Sequence, residues 1–417
     1  MREFELLAHV FRDNARLPAH VTVPPGDDMA VVEMCADPER LQLTVGVAVE
    51  IASSDEAAWR SMGRRAICGA GSTPSNGGCS VVGVVLPNGI AGEFALALHA
   101  GLRDESDRIG VPIVGGDVAV SEVPQSSETV ICAAQLRAGT QNPHSLLIAC
   151  DSAIEGRHAP RGCDPFIIGR KAVLRNLSDV AAMGNAVPLA IAAGVVRARG
   201  CSADRRARLL DGIRQTAERW GVPLIAIDER EHIGSAPDAP LIACVAIVAG
   251  KRAASSTMAL RSDARPGDGV YVTGTIGGAW DAVTGLGRHL DFTPRLAVAH
   301  GLCDALGTRM GAMIDVSDGL GRDLGHTASM SRVGIEVELA AVPVSAGCDP
   351  RAAIGQGEDY ELVFTARGEV PREVAGIAVT RIGTVREGGG VVIVRDGDVT
   401  FDATRRGFEH DGGGVAP

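Results

Sequence analysis

One stretch of this chain is written twice, and that repeat constrains the fold more than any other feature. Gly101–Asp117 reads GLRDESDRIGVPIVGGD, and Gly212–Asp228 reads GIRQTAERWGVPLIAID. Each spells an amphipathic helix stopped at glycine (Gly110, Gly221), then Val-Pro and an apolar strand. The match extends downstream, where VICAAQLRAG (Val130–Gly139) parallels LIACVAIVAG (Leu241–Gly250). Upstream, GRRAICGAGSTPSNGG from Gly63 aligns with GRKAVLRNLSDVAAMG from Gly169, and LTVGVAVEI from Leu43 with LLIACDSAIEG from Leu146. Matched segments in one order describe a single α/β unit present twice. After Gly250 the text changes to RSDARPGDGVYVTGTIGGAWDAVTGLG, a Pro/Gly turn, a strand and a Gly-rich turn. The expected division is 1–140 and 141–251 for the two copies and 252–417 for a third unit.

Composition decides how such units are packed. With 46% apolar residues, 3% aromatics and 53 glycines, the core must be built from Val, Ala, Leu and Ile, which points to α/β or α+β. The net charge of −11 comes with scattered Arg and Lys, so no basic stripe suggests nucleic acid. None of the ten cysteines forms a C-x-x-C pair, and several lie in apolar strands, so most are expected to be reduced core residues. No apolar run approaches the ~18 to 20 residues of a membrane span, and the expected location is the cytoplasm.

Carboxylates recur in small-residue turns beside apolar strands. The strongest case is MIDVSDGLGRDLGHTASMSRVGIEV from Met313, where a strand end is followed by a turn bearing Asp315 and Asp318 and then by an amphipathic helix. Two aspartates three apart at a strand mouth can ligate Mg²⁺, which prefers a few carboxylates plus substrate phosphates; a helix cap is the competing role for Asp318. Asp27 and Asp28, Gly116-Asp117, Asp151 and Asp179 occupy similar turns. Turn chemistry explains any one of these alone, whereas together they suit a polyphosphate held through several metal ions.

The segments PPGDDMAVV, ACDSAIEGRH, RNLSDVAAMGNAVP, VPIVGGD, RPGDGVYVTGTIG, MIDVSDGLGRDLGH and GQGEDYELVFT resemble the successive signatures of thiamine-monophosphate kinases. That family lies within the superfamily of aminoimidazole-ribonucleotide synthetase. The resemblance implies two N-terminal-type domains forming a pseudo-dimeric β-barrel, plus one C-terminal α/β domain of the same superfamily covering the ATP cleft. It implies Mg²⁺ at Asp27, Asp28, Asp117, Asp151, Asp179, Asp315 and Asp318, and ATP at Gly116, Asp117, Arg261 and Ser317. It places thiamine monophosphate at His158 and Glu358, and gives the catalytic role to Asp315, Asp318 and Asp179. The implied reaction is direct in-line transfer to thiamine monophosphate by a cytoplasmic monomer with no nucleic-acid or membrane partner.

The copies depart from the family pattern in complementary ways. In the first, Gly46 stands for the strand aspartate and Gly71-Ser72-Thr73 for NLSD; in the second, GGD has become Ala226-Ile227-Asp228. The first copy keeps Asp27-Asp28 and Gly115-Gly116-Asp117, and the second keeps Asp151, His158 and Asn176 to Asp179. The expectation is one composite site, with Asp228 the competing carboxylate. Arg405 stands where the family tends to place an aromatic residue against the thiamine. Two other functions stay open at this point: an ATP-dependent synthetase or ligase of the superfamily, and a non-catalytic nucleotide-binding paralogue.

Overall fold

The computed structural model describes residues 17–23, 27–35, 42–51, 53–71, 78–87, 89–120, 128–137, 143–233, 239–253, 255–281 and 283–408. They form two compact units, the first running to Asn176 and resuming over Pro188–Gly250, the second made of Leu177–Val187 and the residues from Lys251.

In the first unit, β1 (Val21–Val23) and β2 (Ala30–Cys35) precede β3 (Gln42–Ile51), α1 (Glu56–Ala70), β4 (Cys79–Leu86), α2 (Gly92–Ile109), β5 (Ile113–Gly115), β6 (Val118–Val120) and β7 (Glu128–Arg137). The same sequence of elements then recurs as β8 (Pro143–Ile154), α3 (Pro165–Ala182), β9 (Ala186–Arg197), α4 (Ala203–Arg219), β10 (Leu224–Glu231) and β11 (Ile242–Lys251). Capping fixes these helices where the text placed them: Asp55 accepts from the Ala57 N–H, Ser202 from the Arg205 N–H, and Gly110 closes α2 at φ +67°.

The two copies follow one strand path. β3-β7-β4-β5 forms one sheet with β6 beside β4, and β8-β11-β9-β10 forms another, extended by β2 and β1. Inward side chains of both sheets, Val47 and Cys132 with Cys150 and Cys244 among them, share one apolar core. The sheets approach closely enough that a methyl group on Gly83 would lie 2.7 Å from Cys244 Sγ, and one on Gly194 2.5 Å from Cys132 Sγ. Among the described residues no ladder joins the two sheets into a closed barrel.

Each copy packs its two helices through a matched pair of glycines. A Cβ on Gly63 would sit 2.4 Å from Leu98 O and one on Gly101 1.9 Å from Arg60 O. In the second copy a Cβ on Gly169 would sit 2.2 Å from Leu209 O and one on Gly212 2.2 Å from Phe166 O. The helices therefore touch backbone to backbone. Cys68, Cys79, Cys132, Cys150, Cys163, Cys201, Cys244, Cys303 and Cys348 are free thiols, with Cys79, Cys132, Cys150, Cys244 and Cys303 buried.

The second unit contains β12 (Gly269–Thr273), α5 (Leu296–Leu306), β13 (Met310–Asp315), α6 (Leu320–Ser331), β14 (Val333–Glu338), the single turn α7 (Pro350–Ala353), β15 (Leu362–Ala366), β16 (Glu373–Val374), β17 (Ile377–Glu387), β18 (Val391–Asp396) and β19 (Val399–Asp402). Its sheet runs β13-β15-β12-β17-β14-β18-β19 and is antiparallel except where β14 meets β18. Val270, Ile314, Leu324 and Val363 lie in its core. Among the described residues no helix is long and apolar enough to cross a membrane.

Candidate functional site

The second unit holds half of the candidate residues, Asp179, Arg261, Asp315, Ser317, Asp318 and Glu358. Asp315 is the last residue of β13, 2% exposed, and Ser178 Oγ donates to its Oδ2 at 2.5 Å. Asp179, one residue on, offers a carboxylate oxygen within 4.8 Å of one from Asp315. Asp318 stands just before α6, and Asp323 in the first turn of that helix reaches back. The Asp323 Oδ2 atom accepts the N–H groups of Asp318 (3.2 Å) and Gly319 (3.0 Å), so the turn is tied from inside the helix. Gly319 is the residue at the helix cap, and the cap role weighed for Asp318 falls away.

These charges act on one another. Burial first, then the carboxylates of Asp318 and Asp315, push the Asp323 pKa well up, with Arg261 opposing. His326, one helical turn further, offers a ring nitrogen within 4.8 Å of oxygens from Asp318 and Asp323. Burial, Arg261 and Arg322 lower its pKa to about 3. Arg261 opens the short 3₁₀ turn Arg261–Asp263, and its carbonyl accepts Ser331 Oγ at 2.7 Å, so its backbone is tied to the far end of α6.

The GQGEDYEL segment is laid against this turn. Glu358 N–H donates to Ser317 O (2.7 Å), Tyr360 N–H to Val316 O (2.8 Å), and Val316 N–H to Glu361 O (2.8 Å). A Cβ on Gly357 would lie 2.5 Å from Ser317 O, which is why glycine is needed there. Asp359 is enclosed by the Gly277 N–H (2.9 and 3.0 Å) and Arg288 Nη2 (2.6 Å), and burial raises its pKa to about 7. Glu361 takes a two-pronged pair from Arg295 at 2.8 and 2.6 Å and the Thr273 hydroxyl at 2.7 Å. The C-terminal segment also returns here: Phe408 N–H donates to Asp318 O at 2.8 Å, with the residue 40% exposed. The aromatic residue beside the turn is thus Phe408, whereas Arg405 contributes a carbonyl to Arg322 Nη2 (3.1 Å).

In the first unit Asp117, Asp151 and Arg175 form a second cluster. Ser152 N–H donates to Asp117 Oδ2 (3.2 Å), and Arg175 Nε pairs with Asp151 Oδ2 (3.0 Å). Burial and then the Asp151 charge raise the Asp117 pKa to about 7, against the pull of Arg175. Exposed Gly116 has φ +154°, and a Cβ there would lie 1.9 Å from Val82 O. Asp27 and Asp28 are half-buried, with Asp28 N–H donating to Asp27 Oδ1 (3.1 Å). His158 is buried in the loop after β8, where Nδ1 accepts the Ile154 N–H (3.0 Å) and the backbone oxygen accepts Lys171 Nζ (2.6 Å).

The repeat reproduces this cluster in altered form. Asp228 Oδ2 accepts the Val47 N–H (2.8 Å), just as Asp117 does from Ser152. Val47 pairs across the ladder with Cys132, and Ser152 with Cys244, so the two are counterparts. Gly46 then occupies the place of Asp151. A Cβ on Gly46 would lie 2.6 Å from the backbone of Gly69, so this copy has no room for a side chain there. Arg230 Nη1 pairs with Asp228 Oδ1 at 2.7 Å.

A hard-cation donor set is consistent with these observations. Asp117 beside Asp151, and Asp315, Asp318 and Asp323 around one turn, gather oxygen donors of the kind a divalent cation binds.

The description AIR synthase related protein, N-terminal domain, matches residues 26–136 and again 132–249. Thiamine-monophosphate kinase of Salmonella typhimurium is 31% identical over 358 residues, covering 76% of this chain and 98% of the relative. The corresponding kinase of Escherichia coli K12 is 30% identical over 355 residues, with 76% and 98% covered. Among solved structures, AaThiL complexed with AMPPCP and TMP is similar at a TM-score of 0.53 and 26% identity, over 64% of this chain and 87% of that one. Thiamine-monophosphate kinase from Stenotrophomonas maltophilia K279a gives 0.51 and 28%, over 62% and 88%.

Proposed function

The chain belongs to the thiamine-monophosphate kinase family, and on that premise we propose that it moves the γ-phosphoryl group of ATP onto the phosphate of thiamine monophosphate, giving thiamine diphosphate and ADP. The observation that carries the reading is the joining of the Asp315-to-Asp318 turn to the GEDYEL segment through Ser317 O and the Glu358 N–H. Support for the nucleotide comes from AaThiL, whose structure holds AMPPCP, an ATP analogue, together with TMP.

A phosphate oxygen is already a competent nucleophile, so the transfer needs alignment and charge neutralisation and no dedicated base. Mg²⁺ supplies that neutralisation when bound. Within the first unit Asp27, Asp28, Asp117 and Asp151 would hold such ions, and within the second unit Asp179, Asp315 and Asp318 would. Ser178 orients the Asp315 carboxylate, and Asp323 fixes the turn carrying Ser317 and Asp318. Arg261 would fork onto ATP phosphates, and Gly116 would let the backbone approach them. Glu358 and His158 would face the thiamine phosphate, with Phe408 offering a ring face to its heterocycle.

We assign 1–140 and 141–251 to the two domain copies and 252–417 to the C-terminal domain, with the copies taking the places of two chains of a dimer and closing the barrel internally. A light-scattering mass of one 43.0 kDa chain is expected; an obligate dimer overturns this part. For the activity, ADP and thiamine diphosphate are followed with ATP and Mg²⁺, with and without thiamine monophosphate. Equal ADP release in both conditions, or none, rejects the kinase.

A further inference from the structure

Two consecutive residues of one loop hold two consecutive residues of another. Arg288 grips Asp359, its Nη2 at 2.6 Å, while also donating to Thr275 O (3.0 Å), Gly277 O (3.0 Å) and Ser345 Oγ (2.8 Å). His289 meets Glu358, Nδ1 to Oε2 at 2.8 Å, and sets its Nε2 3.1 Å from Gly285 O. Arg288 with Asp359 already ties the two loops together, and the histidine pair adds a contact whose purpose lies in the Glu358 carboxylate itself.

The backbone of Glu358 points to that purpose. It sits at φ +69°, a left-handed conformation that L side chains adopt only against strain, while its N–H is fixed on Ser317 O. Glycine would take this backbone without strain, and the chain keeps glutamate. Keeping glutamate at such a position aims a carboxylate, and 23% of that side chain remains open to solvent. His289, by contrast, is 5% exposed and packed in the turn Arg288–Leu290. Its Nε2 faces a carbonyl oxygen and its Nδ1 a carboxylate oxygen, and a hydrogen bond to a carboxylate is charge-assisted.

We propose that His289 is a positioning residue that holds the Glu358 carboxylate toward the heterocycle of the phosphoryl acceptor. This rests on the reading that Glu358 faces thiamine monophosphate. So held, Glu358 selects an acceptor whose ring carries a donor group or positive charge and leaves nucleotide binding untouched.

The test compares His289→Phe, His289→Gln, Glu358→Gln and the double variant His289→Phe/Glu358→Gln in the full chain, reading the KM for thiamine monophosphate, the KM for ATP, kcat and the melting temperature. His289→Phe should raise the acceptor KM by ~10-fold, the scale of a lost charge-assisted hydrogen bond, with the ATP KM within ~2-fold. His289→Gln, which restores a donor, should recover most of the loss. The double variant should be no worse than Glu358→Gln. If Glu358→Gln raises the acceptor KM but His289→Phe does not, or if His289→Phe shifts both KM values alike, the positioning role is overturned while the kinase reading stands. If Glu358→Gln leaves the acceptor KM unchanged, both the role and the facing assigned to Glu358 fall. Should His289→Phe not fold, His289→Gln decides: an acceptor KM within ~2-fold of wild type with Glu358→Gln impaired supports the inference, and a rise equal to that of Glu358→Gln rejects it.

Discussion

A buried carboxylate that accepts one hydroxyl hydrogen bond keeps that bond when it becomes an amide. Asp315→Asn should therefore retain the Ser178 contact and melt close to wild type, while losing the negative charge that a cation requires. We expect kcat to fall at least ~100-fold, on the order of 3 kcal/mol of transition-state stabilisation, and Asp318→Asn to behave alike. Unchanged turnover in both removes them from the mechanism. His326 gives a pH signature. Its folded pKa, about 3, lies below the unfolded value of ~6.5. The unfolded chain thus binds the extra proton between those limits, and stability is lost as pH falls through them, by at most ~1.4 kcal/mol per unit. Denaturant midpoints measured from pH 7 to 4 should fall less steeply in His326→Gln, and identical slopes contradict the assignment. At this scale the turn carrying Asp318 after the apolar strand that ends at Asp315 was legible from its pattern, whereas Asp151 lies within β8 and Asp179 within α3, not in the small-residue turns read for them. Asp323 and His289 were not legible, since each acts by reaching a backbone or side chain that spacing alone does not locate. Arg405 gives its carbonyl to Arg322 while Phe408 meets the Asp318 carbonyl through its N–H, a distinction that depends on how the terminal segment is laid down and that sequence does not locate.

Between elements, the paired glycines make the repeat measurable. Gly101→Ala drives a methyl group into Arg60 O and Gly212→Ala one into Phe166 O, so each should destabilise by ~1–3 kcal/mol through forced separation of a helix pair. Chemical denaturation checks both; a neutral result for either shows that its helices do not pack at this distance. The helices, their glycine stops and the strands after them could be read directly from the text, because capping and periodicity are local. Strand register could not. Aligning VICAAQLRAG with LIACVAIVAG end to end puts Cys132 opposite Ala243, yet the ladders make Cys132 the counterpart of Cys244. Runs of small apolar residues pack almost equally well one step along, and the neighbouring strand decides.

For the whole molecule, the unequal fate of two matching carboxylates is the central point. Asp117 keeps an acidic neighbour, whereas Asp228 has glycine and an arginine instead. Asp117→Asn and Asp179→Asn are expected to lose at least ~100-fold in transfer, while Asp228→Asn, which can still accept the Val47 N–H, stays near wild type. A silent Asp117→Asn with a dead Asp228→Asn reverses the assignment. The repeat was visible in the sequence, and the matched family description falls on it twice, over 26–136 and 132–249, but the space around Gly46 is a property of folded backbone that the sequence does not spell. In an enzyme assembled from identical chains, every substitution is made at both symmetry-related places at once, so a carboxylate cannot be retired at one without being lost at the other. Here the two stretches are encoded separately and can drift apart. If position 117 serves the proposed chemistry, position 228 can be selected for holding a strand alone, and a tally of tolerated amino acids at the two should be broad at 228 and narrow at 117.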